Sequence, residues 1–450
     1  MKDSIKREQN DACINYAERE NARAKLNVYE AARQRIAYIF SEFEQIVVSF
    51  SGGKDSGVLL NLVLDYAREH GQLSRLSVYH MDYEAQYQCT TDYVTRTFDH
   101  LPREVTPYWV CLPIKAQCST SMFQSYWQPW KESDRAIWCR QMPMGTVNEQ
   151  NFHMGFDYEI SDYEFNNKFA RWMSRKKTTC FLVGIRTQES LHRWKAVNKA
   201  TDKNEYKGRK YTTRQSDRLT TAYPIYDWTV EDVWTANARN GYDYNKVYDL
   251  MYLAGVPLNK MRVASPFNDC AQESLKLYKV LEPNTWGLMI GRVNGVNFTG
   301  LYGGTTAMGW HTITKPKHFT WKQYMEFLLN TLPEETRKLY LRKLDVSKKY
   351  WLTTGGALPS DMIDCIPEGI EYENLGAPTN NRNYSKGYTV VRFKHYLDEI
   401  DIKNPNLLPT YKRMCIAIMK NDTSCKTLGF GLTKDELLRR KEIQKKYKDL

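Results

Sequence analysis

The sequence predicts an α/β protein in which a doubly wound parallel sheet is followed by an added, mostly α-helical C-terminal domain. An apolar, β-branched run occurs at 45–50, further strand-like runs occur at 76–81, 105–112 and 179–185, and helical patterns lie between strands. Strands that alternate with helices form parallel sheets that are covered on both faces. A glycine-containing turn joins the first run to the next helix, and such sheets bind ligands at the carboxyl ends of their strands. Near residue 255 Gly and Pro become frequent, which indicates a second domain.

The helix before the first strand has a clear start signal. Asn27 is placed to cap it, with Glu30 three residues on, as in a capping box. Apolar residues then recur at helical spacing from Val28 to Phe43. This pattern predicts an amphipathic helix that leads directly into the first strand.

The composition is that of a globular protein. The chain has 450 residues, of which 42% are hydrophobic and 26% charged, enough for more than one domain. No apolar run is long enough for a membrane helix, and residues 1–26 lack the apolar stretch of a secretory signal. We therefore expect a cytoplasmic protein that does not associate with membranes.

The cysteines and the net charge restrict the cofactors and partners. Ten cysteines are scattered without any C-x-x-C spacing, which argues against a zinc ribbon or a ferredoxin-type cluster. We expect no iron–sulfur cluster and no flavin. The formal net charge of +12 favours polyanionic partners, either nucleotides or nucleic acid. A merely basic, solvated surface would give the same charge.

The turn after the first strand has the composition of an anion-binding loop. It reads Ser51, Gly52, Gly53, Lys54, Asp55, Ser56. Two glycines let the backbone turn sharply and approach a ligand closely. The free N–H groups of the turn and of the helix start, together with the helix dipole, favour a bound anion. Two hydroxyl groups and the charge of Lys54 add to this site.

The motif S-G-G-K-D-S after a strand resembles the PP-loop of the N-type ATP pyrophosphatases. This superfamily includes sulfonucleotide reductases, sulfate adenylyltransferase small subunits, tRNA thiolation enzymes and amidating synthetases. There the loop holds the pyrophosphate that leaves when ATP is cut between its α and β phosphates. The resemblance implies an adenine nucleotide alpha-hydrolase-like fold that binds ATP, or phosphoadenosine phosphosulfate (PAPS), with magnesium. It also implies catalytic roles for Lys54 and Asp55.

A second segment resembles the G-x-R-x-x-E-S-x-x-R motif of the PAPS reductases. It contains Gly184, Arg186, Glu189 and Arg193, which the resemblance assigns to nucleotide binding, with Arg186 also catalytic. Arginine has forked donors that suit phosphate or sulfate, and Glu189 is placed to orient one of the arginines. The stretch 193–218 holds nine Lys or Arg residues and three acids, so we expect a mobile basic lid. A solvated charged loop is the alternative.

An acidic residue follows the second strand. In the reductase-like branch such a residue lies near the nucleotide, and the resemblance makes Asp82 a candidate ligand of the ribose or of Mg²⁺. Glu84 is a second candidate in the same segment. The alternative is that Asp82 is only a solvated acid at the end of a strand.

Two further segments extend the resemblance, and one is missing. Pro224–Trp234 resembles the P-[LI]-x-D-W-x-x-x-D-V-W segment of the same branch, where Trp228 and Trp234 pack a short helix onto the sheet. Residues 244–248 fit the pattern that follows. The C-terminal E-C-G-[IL]-H segment, whose cysteine attacks the sulfate in the reductases, is absent, and the context of Cys425 differs from it. A thiol nucleophile therefore has no support.

The C-terminal half resembles the domain that accompanies the reductase-like part in bacterial immunoglobulin-binding regulator A proteins. Those proteins are usually encoded beside a ParB-like partner and are linked to transcriptional control. The resemblance divides the chain into an N-terminal helical arm (1–40), a PAPS reductase-like PP-loop domain (41–255) and a family-specific domain (256–450). The segments that carry it are Trp286-Gly287, Gly295–Tyr302, Lys315-Pro316, Thr320–Lys322, Tyr350-Trp351, Tyr411–Cys415, Asn421-Asp422 and Cys425-Lys426.

Three functions agree with these observations. The first is an ATP pyrophosphatase that adenylates a substrate. The second is a thiol-dependent PAPS reductase. The third is a regulator that senses a nucleotide and binds nucleic acid or a ParB-like protein.

Overall fold

In a computed structural model, the chain divides into two compact units. The structure describes residues 26–121, 124–152, 159–190, 193–194, 197, 204–268, 275–302, 313, 315–378, 387–400, 402, 408–423 and 425. Residues 1–25 of the predicted arm, much of the predicted lid between 195 and 203, and Lys426 lie outside them. Within the described residues, the first unit contains those up to Ile114 and Pro129–Val263. The second contains Lys115–Gln128 and those from Ala264 onward.

The described elements alternate in the first half and become mainly helical in the second. The strands are β1 (Gln45–Ser49), β2 (Leu76–Met81), β3 (Thr106–Val110), β4 (Ala116–Gln117), β5 (Tyr126–Trp127), β6 (Thr179–Val183), β7 (Thr212–Arg214), β8 (Leu219–Ala222), β9 (Gly356–Pro359), β10 (Tyr372–Asn374) and β11 (Tyr388–Phe393). The α-helices are α1 (Val28–Glu42), α2 (Lys54–Glu69), α3 (Gln88–Asp99), α4 (Asp162–Met173), α5 (Val230–Asn240), α6 (Val247–Leu253), α7 (Leu275–Leu281), α8 (Pro283–Arg292), α9 (Val296–Tyr302), α10 (Trp321–Asn330), α11 (Glu334–Lys349), α12 (Ser360–Ile363) and α13 (Tyr411–Met419).

The first unit is built on a six-stranded sheet with the order β3-β2-β1-β6-β8-β7. All neighbouring pairs are parallel except β7 with β8. The chain runs outward from β1 to β3 on one side, then returns to place β6 on the other side of β1. This reversal is a topological switch point, which opens a crevice at the carboxyl ends of β1 and β6. The predicted doubly wound α/β fold is confirmed.

Helices cover both faces of this sheet, as the strand sequence predicts. Along β1, Ile46 and Val48 belong to one buried cluster, which also contains apolar residues of α1, α2, α3 and α5. Val47 points the other way, into a cluster with Phe165 and Phe169 of α4. Successive side chains of a strand face opposite sides of the sheet, so a strand buried on both faces is mostly apolar.

Helix α1 is part of the first unit's core. The capping box between Asn27 and Glu30 is present, as the sequence predicted. Arg35 of α1 forms a buried ion pair with Asp227, with 2.7 Å between Nη1 and Oδ1. The Trp228 indole N–H donates to the Val28 carbonyl. These contacts join α1 to the P-I-Y-D-W segment.

The second unit is rich in helices and also contains small antiparallel sheets. Strands β10, β11 and β9 form a three-stranded sheet, and β4 pairs with β5. The helix predicted from Thr320 is α10, which Thr320 and Gln323 cap reciprocally. Two buried clusters hold this unit together, one around α10, α11 and α13 and one around β9 and β11. In the described residues of both units, no helix combines the length and apolarity that a membrane crossing requires.

Candidate functional site

Residues Ser51–Ser56, which we call the anion loop, join β1 to α2 at the switch point of the sheet. Gly52 has φ +74, a left-handed conformation that glycine adopts without strain. The Ser51 and Ser56 hydroxyl groups lie 3.0 Å apart, and the Ser56 hydroxyl donates to the Gly53 carbonyl at 3.0 Å. The two serine hydroxyl groups therefore form hydrogen bonds within the loop and stabilise its shape. Sequence analysis predicted them as donors to a ligand.

The amide groups at the start of α2 are the main donors of the anion loop. The first N–H group of α2 that bonds to a carbonyl one turn back is that of Gly57, which donates to Gly53. Within the described part of the chain, the N–H groups of Gly52, Asp55 and Ser56 have no acceptor. Unpaired amides at a helix N-terminus, combined with the positive end of the helix dipole, form an anion site.

Gly184, at the end of β6, forms the opposite side of this crevice. A Cβ atom at Gly184 would lie 3.0 Å from the carbonyl carbon and oxygen of Asp55 and from the amide nitrogen of Ser56. Any larger side chain would push the start of α2 away from β6. The structure thus gives a steric reason for glycine at this position.

Lys54, Asp55 and Arg186 form a chain of ion pairs beside the loop. Asp55 lies between the two cations, with Oδ2 at 3.0 Å from Lys54 Nζ and Oδ1 at 2.5 Å from Arg186 Nε. Both cationic side chains are almost fully buried. Burial lowers the pKa of Lys54 below its usual value, and Arg186 adds to this effect, whereas Asp55 opposes it. The three predicted catalytic residues are therefore together, and each is held by another.

Glu189 extends this series of ion pairs toward the protein surface. Its carboxylate lies 3.7 Å from Arg186 and also pairs with Arg193, whose side chain is 39% exposed. Arg262 donates to the Glu189 carbonyl at 2.7 Å. The geometry agrees with the prediction that Glu189 orients an arginine. Arg193 is the exposed end of this series of ion pairs.

The predicted basic lid, residues 193–218, is wrong at Thr212–Arg214, which belong to the main sheet. Thr212–Arg214 and the residues from Leu219 form the antiparallel pair β7 and β8 at one edge of the main sheet. Thr212 and Leu219 are buried. Within the predicted lid, the uncharged residues Thr212 and Thr213 thus join the sheet, despite the charged residues around them.

Asp82 lies in a closed polar network at the end of β2. Its carboxylate pairs with Arg140 at 2.5 Å and accepts the Trp109 indole N–H at 2.7 Å. Burial alone would raise the pKa of Asp82, but Arg140, His80 and Trp109 outweigh it and hold that pKa below its usual value. Asp82 is 1% exposed, so it does not fit a magnesium ligand or a ribose contact unless Arg140 moves away.

Glu84 belongs to the same network. Its side chain is fully buried, and its oxygens accept the amide N–H groups of Trp130 and Cys139 at 2.8 and 2.9 Å. The Glu84 carbonyl accepts from Arg140. In the described residues, no group of three or more His, Cys, Asp or Glu side chains is arranged to hold a metal ion.

Two residues that the sequence analysis left without a role contact the anion loop directly. Asn245 is fully buried, and its amide group donates to the Gly52 carbonyl at 2.9 Å. The Tyr248 hydroxyl accepts the Lys54 N–H at 3.0 Å. The sequence showed that residues 244–248 fit a family pattern, but it carried no sign that a segment about 190 residues away holds the loop.

The segment after β8 supports Arg186 and the residue that follows it. Thr187 donates its amide and hydroxyl hydrogens to the Tyr226 carbonyl at 2.9 and 3.0 Å. The Trp228 carbonyl lies 3.5 Å from Arg186 Nη1. Trp228 is buried in the core of the first unit, in agreement with the packing role predicted for it.

Most of the described cysteines are buried and therefore poorly placed for thiol chemistry. Cys425 is fully buried in the second unit. Among the described cysteines, only Cys365 is exposed and Cys89 is partly exposed. Burial raises the pKa of Cys111, Cys118, Cys180 and Cys415, which suppresses the reactive thiolate.

Comparison with known families agrees with this architecture. A model described as "Phosphoadenosine phosphosulfate reductase domain" matches residues 45–254, and one described as "Domain of unknown function (DUF3440)" matches residues 255–439. The chain belongs to the family of proteins that join these two domains. A relative with this architecture is the uncharacterized protein YbdN of Escherichia coli strain K12. It is 32% identical over 416 residues, which cover 91% of this chain and 92% of YbdN.

The predicted relationship to the PAPS reductase-like family is confirmed, and the immunoglobulin-binding regulator A subtype stays a prediction. Two solved structures also share a limited likeness. PAPS reductase from Candida auris, in a phosphate complex, has a TM-score of 0.29 and 13% identity and covers 49% of this chain and 84% of its own. FMN adenylyltransferase from Candida glabrata, with FAD and pyrophosphate, has a TM-score of 0.30 and 14% identity and covers 49% and 58%. At such scores the likeness supports no further conclusion.

Proposed function

We propose that this protein is an ATP pyrophosphatase that binds ATP at the anion loop and cleaves or transfers at the bond between the α and β phosphates. The observation that carries the proposal is the set of unpaired amides at Gly52, Asp55 and Ser56, which lies at the switch point of a parallel sheet. Ligands of such sheets bind at this crevice. Membership of a PAPS reductase-like, nucleotide-binding family supports an adenine nucleotide.

Catalysis would come from stabilising the charge that develops on the departing pyrophosphate. Backbone amides are fixed dipoles, so they stabilise that charge without reorganising during the reaction. Arg186 would contribute its charge from beside the loop, and Asp55 would keep both Arg186 and Lys54 in place. The acceptor substrate would supply the nucleophile. Because Asp82 does not fit a magnesium ligand, no step of this proposal passes through a protein-bound metal.

The decisive experiment uses ATP labelled on the α phosphate. We expect AMP or an adenylated product together with pyrophosphate, and ADP as the main product would contradict the proposal. Lys54→Ala should lower turnover about 100-fold or more, as removal of a catalytic electrostatic group does, because the site loses a buried cation and Asp55 loses one of its two cationic partners. Arg68→Ala is the matched control, since Arg68 is an exposed cation of the same helix and should leave turnover unchanged.

A thiol-dependent PAPS reductase is the second candidate, and the description of the matched domain favours it. The buried state of Cys425 opposes it. Sulfite release from PAPS in the presence of thioredoxin tests this candidate. Sulfite release that is lost in Cys425→Ser would establish the reductase and replace the adenylation proposal.

A regulatory role is compatible with either chemistry. The net charge of +12 and the added domain favour a nucleotide sensor that acts with a ParB-like protein or nucleic acid in transcriptional control. Binding to DNA through phosphate contacts weakens steeply as salt rises. Filter binding across a series of salt concentrations tests this role, and weak binding without a salt dependence would contradict it.

A further inference from the structure

Tyr248 packs against the anion loop from a distant part of the sequence. Its side chain is 3% exposed. Its hydroxyl oxygen lies 3.0 Å from the amide nitrogen of Lys54, and its ring lies 5.5 Å from Lys54 Nζ. A Cβ atom at Gly53 would lie only 3.3 Å from the same hydroxyl. The hydroxyl group is therefore at the start of α2, among the amides that form the anion site.

The Tyr248 hydroxyl has an unused hydrogen. Its oxygen accepts the Lys54 N–H, but among the described residues its own O–H has no acceptor. A buried donor without an acceptor costs free energy, so buried hydroxyl groups are normally paired with protein, water or ligand. Burial raises the pKa of Tyr248 far above its ordinary value, and Asp55 adds to this effect. The phenol therefore keeps its proton at neutral pH and stays a donor.

Asn245 gives this arrangement its rigidity. Its amide nitrogen donates to the Gly52 carbonyl at 2.9 Å and to the Thr90 hydroxyl at 2.8 Å. Its amide oxygen accepts the Val247 N–H at 3.0 Å, at the start of α6. One buried side chain thus connects the anion loop to the helix that carries Tyr248. This connection fixes the distance between the Tyr248 hydroxyl and the loop amides.

We propose that Tyr248 is a ligand-binding residue whose O–H donates to an oxygen of the phosphate group held by the anion loop. This inference rests on the proposed function and deepens it, because it adds a side-chain donor to a site otherwise formed by backbone amides. The ligand class is a diphosphate, either free pyrophosphate or the corresponding part of a nucleotide.

Tyr248→Phe tests the inference, because it removes the hydroxyl group and keeps the ring. Binding of inorganic pyrophosphate to the full-length protein would be measured by calorimetry. We expect about tenfold weaker binding or more, as for loss of a hydrogen bond to a charged group. Tyr244→Phe is the matched control, because the Tyr244 hydroxyl donates to Asp249 and its loss should leave the affinity unchanged.

The outcomes separate this inference from the proposed function. Equal pyrophosphate affinity in Tyr248→Phe and wild type would overturn the inference, even if ATP is cleaved. If pyrophosphate binds more weakly to Tyr248→Phe but not to Tyr244→Phe, and wild type does not cleave ATP, the inference is supported and the pyrophosphatase is refuted. Failure of wild type to bind pyrophosphate would refute both. A crystal structure of wild type with pyrophosphate does not depend on the variant: a phosphate oxygen about 2.7 Å from Tyr248 Oη, the usual O–H···O distance, supports the inference, and its absence from that position overturns it.

Discussion

The ends of β1 and β2 lie side by side in one sheet, and each carries an aspartate that pairs with an arginine. At the end of β1, Asp55 pairs with Arg186, its side chain is 13% exposed, and unpaired amides surround it. Near the end of β2, Asp82 pairs with Arg140, is 1% exposed, and accepts a further hydrogen bond from an indole.

The comparison shows that the surroundings of a charge pair decide its role. The two pairs have similar chemistry, and the sequence marks both aspartates as candidates for the nucleotide site. The end of β1 offers unpaired amide donors to a ligand. At the end of β2, the carboxylate oxygens of Asp82 already accept hydrogen bonds from Arg140 and Trp109. A buried pair of the second kind is expected to specify local structure, and breaking it is costly.

The largest expected effect is on the closed network. Arg140→Ala would leave the carboxylate of Asp82 buried and without its cation, and loss of one partner of a buried pair costs about 3–5 kcal/mol. Urea unfolding would measure this loss. The affinity for pyrophosphate should change little, because the partners of Arg140 are Asp82, the Glu84 carbonyl and the Trp130 ring, which lie outside the anion loop.

Arg135→Ala is the control for Arg140→Ala. Arg135 is 67% exposed and pairs with Glu132, which is also exposed, so its removal should hardly alter stability. If Arg140→Ala destabilised the protein no more than Arg135→Ala, while abolishing pyrophosphate binding, the contrast between the two strand ends would be wrong.

The next effect concerns the shape of the anion loop. Gly52→Ala forces a side chain into the left-handed region, at about 1–2 kcal/mol, and its Cβ would lie 2.9 Å from Val94. Gly71→Ala is a matched control, because Gly71 has φ +64 with open space around its Cβ position. We expect a lower melting temperature in both variants and loss of pyrophosphate binding only in Gly52→Ala. Equal binding in the two variants would show that the loop shape is unimportant.

The smallest expected effect is a dependence of stability on pH. Because the folded state lowers the pKa of Lys54 below 10.5, the folded chain loses this proton at a lower pH than the unfolded chain. Between the lowered pKa and about 10.5 the unfolded chain binds more protons, so stability rises with pH. Wild type should therefore gain stability relative to Lys54→Met across this window. A constant difference, measured by urea unfolding at each pH, would contradict the shifted pKa.

The fold class could be predicted because its signals are local. A strand buried on both faces is mostly apolar along its length, so β1, β2 and β6 are visible in a single sequence. The start of α1 was predicted from Asn27 and Glu30, since a capping box depends on residues three apart. Strands β7 and β8 were missed, because each has only three or four residues, mostly threonine, and a charged segment surrounds β7.

The candidate site was only partly predictable. The anion loop and the Gly184–Arg193 segment are short motifs, and their residues lie close together because both follow neighbouring strands of one sheet. The partners of these residues have no such signature. Arg140 reaches Asp82 across 58 positions, and Asn245 reaches Gly52 across 193.

The sequence by itself determined the alternation of strands and helices, the position of the glycine-rich turn and the family to which the chain belongs. These depend on residue type and spacing within short windows. Only the tertiary structure decided which carboxylate is enclosed and which lies beside free amides, and which tyrosine hydroxyl meets the start of α2. Burial and hydrogen-bond pairing arise when distant segments pack together, and no local pattern encodes them.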